Sequence, residues 1–499
     1  MKLFPSVILI IILIIILLSG ALTVSQAFPA NDELSITKHQ VRIGGQTISY
    51  TATTGTMRME DEEGNHKADI FFIAYTRDGV NDMTKRPVTF SFNGGPGSSS
   101  VWLHLGALGP KRVVMSEKGE MLRPPFELTD NEYSWLDETD LVFIDPVMTG
   151  YSRPAPGEDK SQFHGYVEDI ESVGEFIRLY TTRYERWASP KFLAGESYGT
   201  TRAAGLSAWL QDRHGMYING LMLISSIMNF QTARFDPGNN LPYILFLPTY
   251  TATAWYHNRL SPDLQQNLWK TLHEVENFAL TDYAQALMRG DQLSETERRR
   301  IVNQLSHYTG LSTEYVENAN LRIHIRRFTK ELMRQEGRTV GRLDSRFKGI
   351  DADNAGEFFE YDPSYNGAIY GPYAATLNHY VRSVLKYEND LPYEILTGRV
   401  RPWSYSNVEN RYLNVAEDLR SAMSRNPYLK VWIANGYYDL ATPYFATEYT
   451  VNQMGLDPAV RGNINLTYYE SGHMMYIHMP SLKQFRQDFI TFMRRALAG

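Results

Sequence analysis

The 499-residue sequence contains no cysteine. That absence removes thiol nucleophiles, thiolate metal sites and disulfides from consideration, and it excludes a lipid-modified N-terminal cysteine. Positive charge is not in excess either. Forty-nine Lys and Arg stand against 56 Asp and Glu, the net charge is −7, and no basic run stands out. A nucleic-acid partner therefore has no electrostatic footprint on this chain. No internal repeat of about 20–50 residues and no low-complexity tract interrupts it. With 43% hydrophobic and 21% charged residues, the composition is that of a folded protein. The length is enough for a large core, or roughly two or three domain-sized units.

Long apolar runs are also scarce, apart from one at the N-terminus. Lys2 precedes the twelve-residue run Val7–Leu18, Ser19-Gly20 breaks it, and Ser25-Gln26-Ala27 offers small residues at −3 and −1 of a cleavage site. This reads as a signal peptide over residues 1–27. A membrane span needs about 20 apolar residues, reached here only by counting Gly20 to Val24, so an uncleaved anchor is the alternative. The expectation is an exported protein, periplasmic or secreted, with no stable membrane insertion once the leader is removed. The lack of disulfides fits a bacterial envelope protein.

Beyond the leader, Ser35–Ala52 alternates apolar and polar residues around Gly44-Gly45, a hairpin signal. Strand-like runs follow at Asp69–Tyr75, Pro87–Phe92, Leu141–Asp145, Lys191–Ala194 and Gly220–Ser225, with helical periodicity over Val167–Tyr180 and Thr200–Leu210. Strands alternating with helices predict an α/β fold, a mostly parallel sheet flanked by helices. From about 231 to 399 helical periodicity dominates, as in Leu264–Phe278 and Leu321–Arg334. Strand signals return at Leu429–Ala434 and Ile464–Tyr469, before a closing helix over Pro480–Ala496. The expected organisation is a core over 28–230 and 400–499, interrupted by a mainly helical cap insertion over 231–399. Such an insertion lies over the carboxyl ends of the strands and shapes a pocket.

The segment Lys191-Phe192-Leu193-Ala194-Gly195-Glu196-Ser197-Tyr198-Gly199 sets a serine in a Gly-x-Ser-x-Gly frame where a strand gives way to a helix. A turn that sharp needs small neighbours at −2 and +2, and it lifts the hydroxyl above a helix N-terminus. A serine needs a base, an acid to orient that base, and donors for an oxyanion. Of the 12 histidines, His473 has the best setting, in a loop just beyond a β-rich run and after Gly472. Asp439 follows the buried run Val431–Ala434 and a glycine turn, although a helix N-cap before Pro443 would also account for it. The order Ser197, Asp439, His473 is that of α/β-hydrolases. Upstream, the glycine-dense loop Asn93-Gly94-Gly95-Pro96-Gly97-Ser98-Ser99-Ser100 follows a strand and can bring backbone N–H groups to a ligand. It lacks the Lys-Ser/Thr of a phosphate loop.

Together these segments resemble the serine carboxypeptidase family, peptidase family S10. Asn93 to Ser100 resembles its N-G-G-P-G-C-S-S, Leu108-Gly109-Pro110 its L-G-P, and Gly195-Glu196-Ser197-Tyr198 its G-E-S-Y. Gly436 with Asp439 and Pro443 follows its G-x-x-D-x-x-x-P, and Gly472-His473-Met474 with Pro480 its G-H-M and downstream proline. The resemblance implies an α/β-hydrolase fold and release of C-terminal residues from peptide substrates, without metal or cofactor. Ser197 would be the nucleophile, His473 the base and then the acid, and Asp439 the orienting acid. The N–H groups of Gly95 and Tyr198 would form the oxyanion hole. Asn93, Gly94 and Glu196 would bind the substrate, Asn93 and Glu196 at its terminal carboxylate. A glutamate receives a carboxylate only when protonated, which favours activity at acid pH.

Three departures carry expectations of their own. Ala107 stands where the family has a second glutamate, which leaves Glu196 without an acid partner. Ser98 replaces a cysteine. Thr200 and Arg202 replace a glycine and a tyrosine, which predicts a changed pocket beside the nucleophile. An esterase or acyltransferase using the same three residues is the alternative activity. A binding protein on a hydrolase fold is the non-catalytic one.

Overall fold

The computed structural model describes residues 34–498, so the leader expected over residues 1–27 lies outside the described residues. Gly44 and Gly45 both take positive φ (55° and 84°) and close a two-residue turn between β1 (Leu34–Ile43) and β2 (Gln46–Glu60). A turn with positive φ at both centres matches the twist of paired strands. β3 (His66–Arg77) adds a third antiparallel strand. Five-residue β4 (Val88–Phe92) and β5 (Asp140–Ile144), then β6 (Lys191–Glu196), β7 (Gly220–Ile224), β8 (Lys430–Gly436) and β9 (Ile464–Tyr469) complete the sheet.

The strands run in the order β1-β2-β3-β5-β4-β6-β7-β8-β9, and a two-residue strand, Arg153–Pro154, pairs with β3 as the tenth. From β5 to β9 every neighbour is parallel. β4, β5, β6 and β7 are buried along their whole length. β7, Gly220-Leu221-Met222-Leu223-Ile224, reads as a continuous apolar run because a parallel sheet is covered on both faces. This is the α/β-hydrolase architecture expected from the sequence.

Two cores follow from the two faces. On one side α1 (Tyr166–Arg183), α2 (Tyr198–His214) and a helix over Ala416–Arg425 pack on Val88, Phe90, Leu193 and Leu223. On the other, the closing helix over Met479–Leu497 lays Leu482, Phe485, Phe489 and Phe492 against Trp135 and Trp432. A third core belongs to the residues between β7 and β8. It gathers helices over Leu241–Tyr256, Leu268–Phe278 and Glu295–Thr309 and reaches Tyr437, Tyr438 and Leu440 just beyond β8.

Two helices in this stretch start later than the periodicity predicts. A turn over Pro262–Gln265 precedes the helix at Leu268, because the Asn267 side chain accepts from Lys270 N–H and begins a new helix. The helix expected from Leu321 covers only Ile325–Glu331, with the His324 ring accepting from Arg326 N–H as its cap. A side chain that competes for the first N–H groups sets the boundary more strongly than apolar spacing does. Among the described residues no helix is long and apolar enough to cross a membrane.

Candidate active site

Four loops leave the carboxyl ends of parallel strands of one sheet, and each delivers one expected residue: Asn93 after β4, Ser197 after β6, Asp439 after β8 and His473 after β9. The elbow explains its own glycines. Ser197 sits at φ 60° and ψ −128°, a costly region for a residue with a side chain. The chain holds it there by bonding Ser197 N–H to the Ile224 carbonyl at 3.0 Å. A Cβ on Gly195 would lie 2.1 Å from the Gly199 carbonyl oxygen, and one on Gly199 2.7 Å from that of Phe92. Between Lys191 and Thr200, Ser197 alone is not fully buried.

His473 donates through Nδ1 to Asp439 Oδ2 at 2.7 Å. Both side chains are buried, at 5% and 0% exposure, so the contact is shielded from water. Asp439 is not a helix cap. Its Oδ1 accepts from Ala441 and Thr442 N–H at 2.7 and 3.0 Å, and its Oδ2 also accepts from the Thr442 hydroxyl at 2.7 Å. A carboxylate with that many donors is fixed in one orientation. Burial opposes a charge on His473, but Asp439 outweighs it and holds the imidazole pKa above its usual value. With Nδ1 taken, Nε2 is the nitrogen left for the cleft that His473 lines.

The His473 backbone is clamped as well. Its N–H bonds to the Leu343 carbonyl at 2.7 Å and its carbonyl accepts from the Ser225 hydroxyl at 2.6 Å. Asp344 Oδ2 accepts from Gly472 N–H at 3.0 Å and pairs with Arg346 at 2.6 Å, while Arg346 also donates to the Ser471 hydroxyl at 3.0 Å. Residues between β7 and β8 therefore build part of the base loop.

Ser197, His473, Asn93, Gly94, Gly95 and Glu196 border one cleft of about 1300 Å³. A Cβ on Gly94 would lie 2.3 Å from the Tyr198 nitrogen, so the glycine loop lies directly on the start of α2. Neither Gly95 nor Tyr198 N–H has a backbone acceptor among the described residues. Ser98 meets the Ile395 carbonyl and the Trp102 ring nitrogen through its hydroxyl, at 3.2 and 2.9 Å. Hydrogen bonds thus tie down the loop at the position where the resembling family has a cysteine.

Glu196 is buried against this loop. Asn93 Nδ2 donates to its Oε1 at 3.0 Å, and Asn93 Oδ1 accepts from Leu103 N–H at 3.1 Å. Its other oxygen has a partner the sequence reading missed: the Tyr476 hydroxyl donates to Oε2 at 2.5 Å. Burial raises the Glu196 pKa to about 7, against the lowering effects of His473, Tyr476 and Asn93. Ala107 is fully buried, in a π-helical turn over His104–Leu108. A Cβ on its neighbour Gly106 would lie 2.3 Å from the Tyr476 ring. The aromatic ring thus packs against this turn at Gly106, and its hydroxyl gives Glu196 a partner. Two residues beyond the Gly-His-Met motif, Tyr476 was a signal available in the sequence, but only a long-range contact shows what it meets.

Thr200 and Arg202 do not line the cleft; both are buried beneath it. The Thr200 hydroxyl donates to the Ser197 carbonyl at 2.7 Å and accepts from Ile227 N–H at 2.9 Å. Arg202 pairs with buried Asp169 at 2.8 Å and donates to the Asn93 carbonyl at 2.7 Å. These substitutions brace the elbow and the asparagine from below, and the expected change of the pocket wall is not where they act. Among the described residues no group of three or more His, Asp or Glu is disposed to hold a metal ion.

The family described as serine carboxypeptidase matches residues 44–480. The pheromone-processing carboxypeptidase KEX1 of Saccharomyces cerevisiae is 34% identical over 145 residues, 28% of this chain and 18% of that protein. Carboxypeptidase Y of the same species is 30% identical over 161 residues, 32% of this chain and 27% of that one. These matches thus span 18 and 27% of the two relatives' lengths. The crystal structure of the yeast prohormone-processing carboxypeptidase Kex1(delta)p superposes with a TM-score of 0.55 at 17% identity, covering 89% of this chain and 91% of that one. At that identity the likeness is one of fold.

Proposed function

The chain belongs to the serine carboxypeptidase family, and we propose that it is a hydrolase that releases C-terminal residues from peptides. The observation that carries this reading is the pairing of a His473–Asp439 contact with a buried, Asn93-bound Glu196 beside the Ser197 elbow, all of them at one cleft. The first gives acyl-transfer chemistry, and the second gives a group that can hold a substrate's terminal carboxylate.

In this reading Ser197 Oγ attacks the scissile carbonyl and its proton passes to His473 Nε2, with Asp439 keeping Nδ1 protonated. The oxyanion meets the N–H groups of Gly95 and Tyr198 at the start of α2. Collapse breaks the C–N bond, and the His473 proton leaves with the departing amine. Water then adds to the acyl-enzyme by the same route and restores Ser197. Glu196 in its protonated form, with Asn93 and Gly94, holds the carboxylate of the departing residue.

Digestion of a defined peptide mixture followed by mass spectrometry tests the reading. Residues leaving singly from the C-terminus support it, and internal cleavage or none refutes it. Ala107 in place of a second acid favours one further reading, an esterase or acyltransferase acting through the same acyl-enzyme, which paired ester and peptide substrates separate. Export to the periplasm or medium rests on the N-terminal apolar run and its small-residue site. N-terminal sequencing of the mature protein checks it.

A further inference from the structure

Residues 341–346 thread from the helical stretch into the active site. The Arg342 carbonyl accepts from Leu440 N–H at 3.0 Å, and the next carbonyl, that of Leu343, accepts from His473 N–H at 2.7 Å. The Arg342 N–H is taken by Asp362 Oδ1 at 3.1 Å. Its backbone is therefore fastened to both the acid loop and the base loop. The side chain is not: Arg342 is exposed, lines the cleft with His473 and Leu440, and makes no ion pair among the described residues.

An unpaired guanidinium on an anchored backbone beside the base works against the base. Arg342 opposes protonation of His473, which must become a cation as the acyl-enzyme forms. A negative charge on the substrate would remove that penalty by pairing with the guanidinium. The rest of the cleft has the same sign. Arg234, Arg326 and Arg401 also line it, against Asp236, Asp362 and Glu196, and burial favours the neutral form of Glu196. None of the four arginines is ion-paired among the described residues.

We infer that the cleft selects peptides with an acidic side chain on one of the two residues flanking the scissile bond, and that Arg342 receives it. The inference rests on the carboxypeptidase reading and adds the substrate class to it. A guanidinium suits this role because its planar fork meets a carboxylate with two N–H donors.

Four N-blocked dipeptides test it: Phe-Glu against Phe-Gln for the departing residue, and Glu-Phe against Gln-Phe for the residue before it. The measurement is kcat/KM at about pH 6, where an acidic side chain is ionised. The expected result is a preference for the acid of about fivefold or more in one pair at low salt, falling as ionic strength rises. Arg342→Gln should collapse that ratio, and Arg342→Lys should keep part of it. Should the Gln variant not fold, the salt dependence of the native ratio decides. Ratios within about twofold of one in both pairs, or a preference that salt does not screen, overturn the inference while leaving the carboxypeptidase reading intact. Failure to release a residue from any of the four removes that reading, and the inference with it.

Discussion

Tyr476→Phe isolates the hydroxyl that donates to Glu196. If binding of the terminal carboxylate needs protonated Glu196, kcat/KM for a free-acid peptide should fall as pH rises through the Glu196 pKa, near 7. His473 must be neutral to act as base, and its pKa lies above the ordinary histidine value, so the profile should also fall on the acid side. The groups that set the Glu196 titration are His473, Asp439, Tyr476 and Asn93, and because Glu196 and His473 interact, the two limbs belong to the pair. The Tyr476 bond of 2.5 Å is donated to a carboxylate, so it favours ionisation. Without it Glu196 holds its proton to higher pH. A hydrogen bond to a charged group contributes ~1.5–3 kcal/mol, and about 1.4 kcal/mol corresponds to one pH unit. The alkaline limb should therefore move up by ~1–2 units. The assay is kcat/KM for a matched free-acid and C-terminally amidated peptide across the pH range, with Glu196→Gln as a control whose alkaline limb should vanish. An unmoved limb for the free acid, or the same shift for the amide, refutes the reasoning.

The other predictions concern the same scaffold. Ser197→Ala and His473→Ala should each lower kcat by ~10⁴-fold or more in a folded protein, and Asp439→Asn somewhat less, because the base keeps its chemistry but loses its orientation. Gly106→Ala puts a methyl group 2.3 Å from the Tyr476 ring. It should displace the ring from Glu196 and reproduce the alkaline shift of Tyr476→Phe, together with a lowered Tm. Asp344→Asn breaks the 2.6 Å pair with Arg346, whose members are 4 and 6% exposed. Calorimetry should find a loss of ~3–5 kcal/mol, and kcat should fall more than KM rises as the His473 loop loosens.

The parts of this protein readable along the chain are those whose cause is local. Alternating apolar residues around Gly44-Gly45 specify a hairpin, and five-residue apolar runs such as Gly220–Ile224 specify buried parallel strands. Gly195 and Gly199 announce the elbow because only their lack of a Cβ lets it close. Where a polar side chain competed for helix N–H groups, as at Asn267 and His324, apolar periodicity misjudged the boundary. The meaning of the substitutions was not local. That Thr200 and Arg202 brace the elbow from beneath, that Tyr476 rather than an acid meets Glu196 across 280 positions, and that Asp344 clamps the base loop 128 positions away follow from packing between distant segments. A hydrogen bond has no signature in the spacing of residues that only folding brings within three ångströms. The sequence could name the groups of this site, but the fold alone decided which of them face each other.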